Sequence, residues 1–191
     1  MRIITGTAKG CKLKTPAGVN TRPTSDRVKE SLFSILGNDV LGQRVLDIFA
    51  GTGSLGLEAL SRGANKGVFV DKATAEILQY NIEHTRLQDK AQILKGDVFA
   101  QLGSLAARGQ KFDIVFCDPP YHQGLSQKAL STLDESPILE KDALVIIEHG
   151  GDENDLPVTK NLKLIKNQKY GKITQISFYH WPVAPEEVEP S

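Results

Sequence analysis

The sequence predicts an α/β domain: a mostly parallel β-sheet with helices on both faces. Three observations predict it. From Arg44 onward, short apolar runs alternate with amphipathic stretches, the pattern of successive βαβ units. A glycine-rich loop, Gly51-Thr52-Gly53-Ser54-Leu55-Gly56, follows the first run and opens a helical stretch. The acid Asp71 then stands twenty positions after Gly51, at the end of the second run.

The elements follow in order. Residues 2–5 and 11–14 read as a short hairpin around Gly6 and Gly10, closed by Pro16-Ala17-Gly18. A loop through Arg22-Pro23 leads to a helix over 25–36, with Thr24 or Ser25 as its cap and Asp26 in its first turn. Val28, Leu32, Phe33 and Ile35 or Leu36 form its apolar stripe. Strands are expected over 45–49, 67–71, 91–94, 112–117 and 143–148. Helices are expected between them, over 55–62, 74–85, 98–107 and 125–133. The stretches 162–170 and 172–181 flank Gly171 with strand character and read as an antiparallel hairpin at the sheet edge. No internal repeat or linker divides the chain. The expected division is a basic hairpin arm over 1–20, a main domain over 21–183 and a tail over 184–191 rich in proline and glutamate.

At 191 residues the chain fits one domain with a single well-buried core. No apolar run approaches transmembrane length, and Met1-Arg2-Ile3-Ile4-Thr5-Gly6 lacks the apolar core of a signal peptide, so a cytoplasmic location without a membrane partner is expected. The two cysteines, Cys11 and Cys117, have no metal-ligand or redox spacing, and no metal site is expected. Cys117 reads as the small apolar end of a buried strand. Net charge is zero, yet residues 1–29 carry seven basic side chains against Asp26 alone. Lys9, Lys12, Lys14 and Arg22 are the candidates for a footprint on RNA phosphates; a merely solvated hairpin is the other reading.

The loop matches the dinucleotide fingerprint as well as a nucleoside cofactor site, since both use glycines for close backbone approach and an acid for ribose hydroxyls. Asp47, in Val45-Leu46-Asp47-Ile48-Phe49-Ala50-Gly51, separates the two. A carboxylate there would repel a pyrophosphate but would attract the ammonium and sulfonium of S-adenosylmethionine. The cofactor's own carboxylate could use the N–H groups at the helix start. The candidate cofactor set is Asp47, Phe49, Ala50, Gly51, Thr52, Gly53, Asp71 with Lys72, and Asp97 with Val98. In this set Asp71 would take the ribose and Asp97 the adenine amino group. For Asp97 a plain helix cap is the competing reading.

Asp118-Pro119-Pro120-Tyr121 ends the fourth run and is the candidate catalytic segment. The prolines stiffen the turn and remove backbone donors, leaving acceptors suited to an N–H₂ group. The Asp118 carboxylate and the Pro119 carbonyl could each take one amine proton, drawing the nitrogen lone pair out of conjugation. Tyr121 offers a ring on which an extruded base can stack. After this loop and this sheet, the tetrapeptide points to methylation of an exocyclic amine, with guanine N2 and adenine N6 both open.

The chain resembles the bacterial RsmD family of 16S rRNA guanine-N2 methyltransferases from Arg2 to about Trp181. The likeness is carried by Arg2-Ile3-Ile4, by Arg22-Pro23-Thr24-Ser25-Asp26-Arg27-Val28-Lys29-Glu30-Ser31-Leu32-Phe33, by the glycine-rich loop, by Leu57-Glu58-Ala59-Leu60-Ser61-Arg62-Gly63-Ala64, and by the tetrapeptide. The resemblance implies a Rossmann-like, class I methyltransferase with a seven-stranded sheet. It also implies S-adenosylmethionine as cofactor and guanine 966 of 16S rRNA, within a small-subunit particle, as substrate. Cys11 stands where the family commonly has an arginine, so the arm carries one charge fewer. Two other readings compete: an N6-adenine methyltransferase on DNA or RNA, and an NAD-dependent dehydrogenase. The first lacks a domain to read a DNA sequence, and the second lacks a clear acid–base pair, His84 reading as helical and exposed and His122 only bordering the site.

Overall fold

The computed structural model describes residues 1–18 and 25–182. Strands β1 (Arg44–Ile48), β2 (Lys66–Asp71), β3 (Ala91–Lys95), β4 (Phe112–Cys117), β5 (Leu139–Gly150), β6 (Lys163–Tyr170) and β7 (Thr174–His180) form one sheet in the order β3-β2-β1-β4-β5-β7-β6. The first five are parallel; β7 runs antiparallel between β5 and β6. The helices are α1 (Asp26–Leu36), α2 (Ser54–Ser61), α3 (Ala75–His84), α4 (Val98–Ala107) and α5 (Leu125–Asp134).

Local chemistry fixes the helix starts. Ser25 caps α1 by accepting from the Val28 N–H, and Asp97 caps α4 by accepting from the Ala100 N–H. Alternation along the strands then builds two cores. Val45 and Phe116 face one side with Leu32, Phe33 and Leu57, while Leu46 and Val115 face the other with Leu102 and Leu130. Each such side chain contributes about 1.5–3 kcal/mol on burial. Among the described residues no helix is long and apolar enough to cross a membrane.

Strand β5 is longer than the run 143–148 expected from the sequence. The charged Glu140-Lys141-Asp142 masks its first half. Asp142 adopts φ 62°, and the pairing with β4 changes register between Phe112 and Ile114.

The expected N-terminal hairpin is reduced to one antiparallel bridge, Arg2 with Lys12, flanked by Ile3 N–H to the Cys11 carbonyl at 2.9 Å. Core contacts hold it instead. Ile3, Ala8 and Leu13 are buried in the first core. Gly6 lies so close to α2 that a Cβ there would stand 1.8 Å from the Ser61 carbonyl oxygen. Arg22, Thr24 and the proposed tail lie outside the described residues.

A buried ion network fastens this segment. Glu58 on α2 is fully buried and accepts from the Ile4 and Thr5 N–H groups at 2.8 and 3.1 Å. Lys29 of α1, also fully buried, lies 3.4 Å from Glu58 and donates to the Arg2 carbonyl at 2.5 Å and to Ser54 Oγ at 3.1 Å. Arg62 completes the set at 3.1 Å. Burial lowers the pKa of Lys29, and the adjacent Glu58 charge opposes that shift.

Removing one member of such a network strands the others in a dry interior, so Glu58→Ala should cost about 3–5 kcal/mol of stability. Urea unfolding measures the loss. Hydrogen exchange at the Ile4 and Thr5 amides should accelerate together with it; unchanged exchange there would show that the arm is held by other contacts.

Candidate active site

The strand order turns at β1, whose chain neighbours lie to one side while β4 lies on the other, and α/β ligands bind at such a crevice beyond the carboxyl ends of the strands. A cavity of about 860 Å³ opens there. Asp47, Phe49, Ala50, Gly51, Thr52, Asp71, Lys72, Asp97 and Val98 all line it, as do Asp118, Pro119, Pro120 and Tyr121. Of the residues singled out from the sequence for cofactor and chemistry, Gly53 alone is not in the wall. It serves packing: at φ 82° its N–H closes the loop on the Ala50 carbonyl, and a Cβ would meet Leu78 at 2.5 Å.

The loop is clamped from the next βα turn. Asp71 accepts from the Gly51 N–H at 2.9 Å with one oxygen, and from the Ala73 and Thr74 N–H groups at 2.8 and 2.9 Å with the other. Thr74 Oγ donates back to the Gly51 carbonyl at 2.7 Å. Asp71 therefore shapes the loop as well as presenting a carboxylate to the cavity. Phe49 enters the loop at φ 59°, a conformation costly for a side chain of its size and one the sequence does not announce.

Asp47 is 2% exposed and accepts from the Gly56 N–H at 2.9 Å. Gly56 has no room for a Cβ, which would stand 2.4 Å from the Phe69 ring and 3.0 Å from the Asp47 carboxylate. Burial pushes the Asp47 carboxyl up to about 8; the Gly56 hydrogen bond opposes this and the Asp71 charge adds to it. A buried acid on the wall of a cavity is a fitting contact for a cation, whose charge would hold it ionised.

Asp97 is the cap of α4, its side chain accepting from Ala100 N–H at 3.0 Å while it borders the cavity. The cap reading of this residue holds.

The tetrapeptide follows β4 directly, with Pro119 buried and Asp118 half-buried. Tyr121 donates its hydroxyl to Glu148 at 2.7 Å and lies 3.3 Å from Thr174 Oγ. Burial, then the Glu148 charge, raises the tyrosine pKa well above its usual value, so the hydroxyl remains a donor. The ring's position is thereby set from the far side of the site. Glu148 is 6% exposed, near the end of β5, and lines the same cavity. Sequence reasoning took it as a strand residue. The signal was present: an acid closing the apolar run Leu144-Val145-Ile146-Ile147 at the ligand-binding edge. Thr174 carries no comparable signal. Among the described residues no His, Cys, Asp and Glu cluster could hold a metal ion.

Lys9, Lys12 and Lys14 are exposed on the N-terminal segment, whereas Lys29 is spent in the core and Arg2 pairs with Asp26 at 3.5 Å. Lys14 Nζ stands 5.2 Å from the centre of the Tyr80 ring, which stacks on His84 at 5.6 Å. Met1, Thr15 and Pro16 border the cavity itself, so the segment reaches its mouth.

The raised pKa of Asp47 fixes a sign. Below the ordinary carboxyl value of 3.8 the group is protonated in the folded and unfolded chains alike; stability is lost as pH rises from there through about 8, because the unfolded chain ionises first. Asp47→Asn keeps an acceptor for Gly56 and removes that dependence. In ligand-free denaturation titrations the variant should gain on the wild type from about pH 5 to about pH 9. Parallel curves would mean that Asp47 is ionised in the empty site.

Known proteins share this arrangement. A family model described as "Conserved hypothetical protein 95" matches residues 1–180. The Ribosomal RNA small subunit methyltransferase D of Escherichia coli (strain K12) is 36% identical over 176 residues, spanning 91% of this chain and 86% of that protein. The YlbH protein of Bacillus subtilis (strain 168) is 39% identical over 182 residues, spanning 94% and 98%. The solved structure of yhhF from Escherichia coli superposes with a TM-score of 0.83 at 34% identity, covering 96% of this chain and 99% of that one. With almost its whole length matched by the model and by these relatives, the chain belongs to the Conserved hypothetical protein 95 family, the RsmD family.

Proposed function

We propose that the protein transfers a methyl group from S-adenosylmethionine to the 2-amino group of a guanine in small-subunit rRNA, guanine 966 of 16S rRNA by the family resemblance. The observation that carries the reading is one cavity walled by both the glycine-rich loop and Asp118-Pro119-Pro120-Tyr121. Family relatives named as small-subunit rRNA methyltransferases support rRNA as the partner. The substrate surface on this reading is a small ribosomal subunit particle in the cytoplasm.

Bound S-adenosylmethionine supplies an electrophilic methyl group. The protein's residues do the rest. Asp47 meets the cationic end of the cofactor, Asp71 the ribose, and the wall at Asp97 and Val98 the adenine. Asp118 and the Pro119 carbonyl accept the two amine protons, which frees the nitrogen lone pair for attack. Positive charge grows on that nitrogen as the bond forms, and the Asp118 carboxylate is already in place to stabilise it. Tyr121 holds the base plane. Catalysis of this kind rests on positioning and fixed charge. The buried Asp47 carboxyl disfavours a dinucleotide pyrophosphate, and with it the dehydrogenase reading.

Mass mapping of methylated nucleosides in rRNA, from cells with and without the gene, tests the assignment. One N2-methylguanosine in small-subunit rRNA should disappear and return on complementation; loss of an N6-methyladenosine instead would overturn it. Asp118→Ala should lower single-turnover methylation on the order of 100-fold or more, with cofactor affinity near wild type, and Asp118→Asn should keep part of the activity because its carbonyl still accepts. Full activity in Asp118→Ala would leave the tetrapeptide as a turn only.

The arm's role separates from the chemistry. Replacing Lys9, Lys12 and Lys14 by alanine should reduce the salt slope of RNA or particle binding by up to about three units, while turnover at saturating substrate falls much less. An unchanged slope would mean that the substrate docks elsewhere.

A further inference from the structure

The site contains one buried carboxylate for which neither cofactor binding nor amine positioning has a use, Glu148. We propose that Glu148 is the specificity-determining residue that reads the N1–H of the target guanine and so selects guanine over bases with a bare ring nitrogen at that place. The inference rests on the guanine-N2 reading above and adds a residue and a criterion to it.

The argument begins with the amine. In guanine the ring nitrogen next to the 2-amino group carries a hydrogen; in adenine the ring nitrogen next to the 6-amino group is a bare acceptor. Asp118-Pro119 offers only acceptors to the amine, and so cannot tell these bases apart. A second acceptor beside the first can. The Tyr121 hydroxyl feels the negative charge of both Glu148 and Asp118, so the two carboxylates flank one side chain of one cavity. Glu148 also borders a second cavity, of about 540 Å³, between the first turn of α1 and the β6–β7 hairpin. It therefore stands on the wall where the two cavities meet.

Two features make Glu148 a reader rather than filler. Its backbone is fixed in the sheet, in register with Ile176 of β7, so the carboxylate has a defined place. The hydrogen bond from Tyr121 at 2.7 Å engages one oxygen, and a carboxylate has room for several donors. An N1–H would find a charged acceptor there, whereas a bare nitrogen would face negative charge across a desolvated gap. Sites built to accept a substrate N–H reject analogues lacking it far more strongly than pockets that read shape.

The test uses small-subunit particles reconstituted with RNA that carries either guanine or 2-aminopurine at the methylated position. 2-Aminopurine keeps the 2-amino group and lacks the N1–H. Wild-type kcat/KM should favour guanine by roughly 10- to 150-fold, the range of one charge-assisted hydrogen bond. In Glu148→Gln the carbonyl can still accept from Tyr121, while the amide N–H₂ can donate to a bare N1. The guanine preference should therefore fall by about tenfold or more, largely through faster reaction of 2-aminopurine. A purely structural role would slow both bases alike and leave the ratio unchanged, which overturns the proposal. So does a wild-type enzyme that methylates both bases equally well, a result that needs no variant and leaves the guanine-N2 assignment standing. If the wild type instead methylates an adenine, the functional reading fails and the Glu148 assignment falls with it.

Discussion

The buried carboxylate of Glu58 is the constraint on which the rest of this molecule depends. An ionised acid inside a protein is tolerated only when enough donors surround it. Here they come from three parts of the chain: two backbone N–H groups of the N-terminal segment, Lys29 of α1 and Arg62 of α2. The arrangement converts a desolvation penalty into a positional requirement. If the N-terminal segment left α2, the carboxylate would lose two donors at once. Lys29 extends the requirement to Ser54, the first residue of α2 and a member of the cavity wall. The same charge pair that seats the segment therefore touches the end of the loop.

The cavity repeats the theme of carboxylates in contrasting surroundings. Asp47 is buried with a single backbone donor, and its carboxyl is raised to about 8. Asp71 takes three backbone N–H groups and acts as a clamp. Asp97 caps a helix, and Glu148 holds a tyrosine hydroxyl. A wall so rich in acceptors is a poor host for phosphates. It suits a ligand that arrives with its own positive charge and an acceptor base that arrives with N–H groups. Charge complementarity thus narrows the chemistry more than the fold does, since the same sheet order serves many reactions.

Much of this was legible in the sequence, and the parts that were not have physical reasons. The bounds of α4 and β4 agree with the expectation because strong local signals set them: Asp97 at the cap, Gly109 after the helix and an unbroken apolar run. The tetrapeptide and most of the loop could be assigned to one site because their chemistry is local. The first half of β5 was hidden by charged residues whose pairing depends on neighbouring strands. Lys29 was counted among the basic residues of the arm; its burial depends on Glu58, which belongs to another helix and meets it only in three dimensions. Glu148 was passed over for the same reason. A glutamate at a strand end is ordinary until the fold brings Tyr121 against it.

Asn81 shows how closely the two halves of the proposed reaction are joined. This fully buried amide on α3 accepts from the Lys14 N–H at 2.7 Å and donates to the Lys14 carbonyl at 3.0 Å, so it pairs with that residue as a neighbouring strand would. Its remaining N–H goes to the Thr52 carbonyl in the glycine-rich loop at 2.9 Å. One side chain therefore bonds the backbone beneath an exposed lysine of the arm and the backbone that faces the cofactor cavity. No apolar residue could replace it without leaving buried peptide groups unsatisfied. The basic surface is thus indexed to the loop through a single rigid contact, although the charges themselves are exposed. A segment that grips RNA needs such indexing only if the grip has to present one base to one point. That geometric demand is the reason for an arm built into the core.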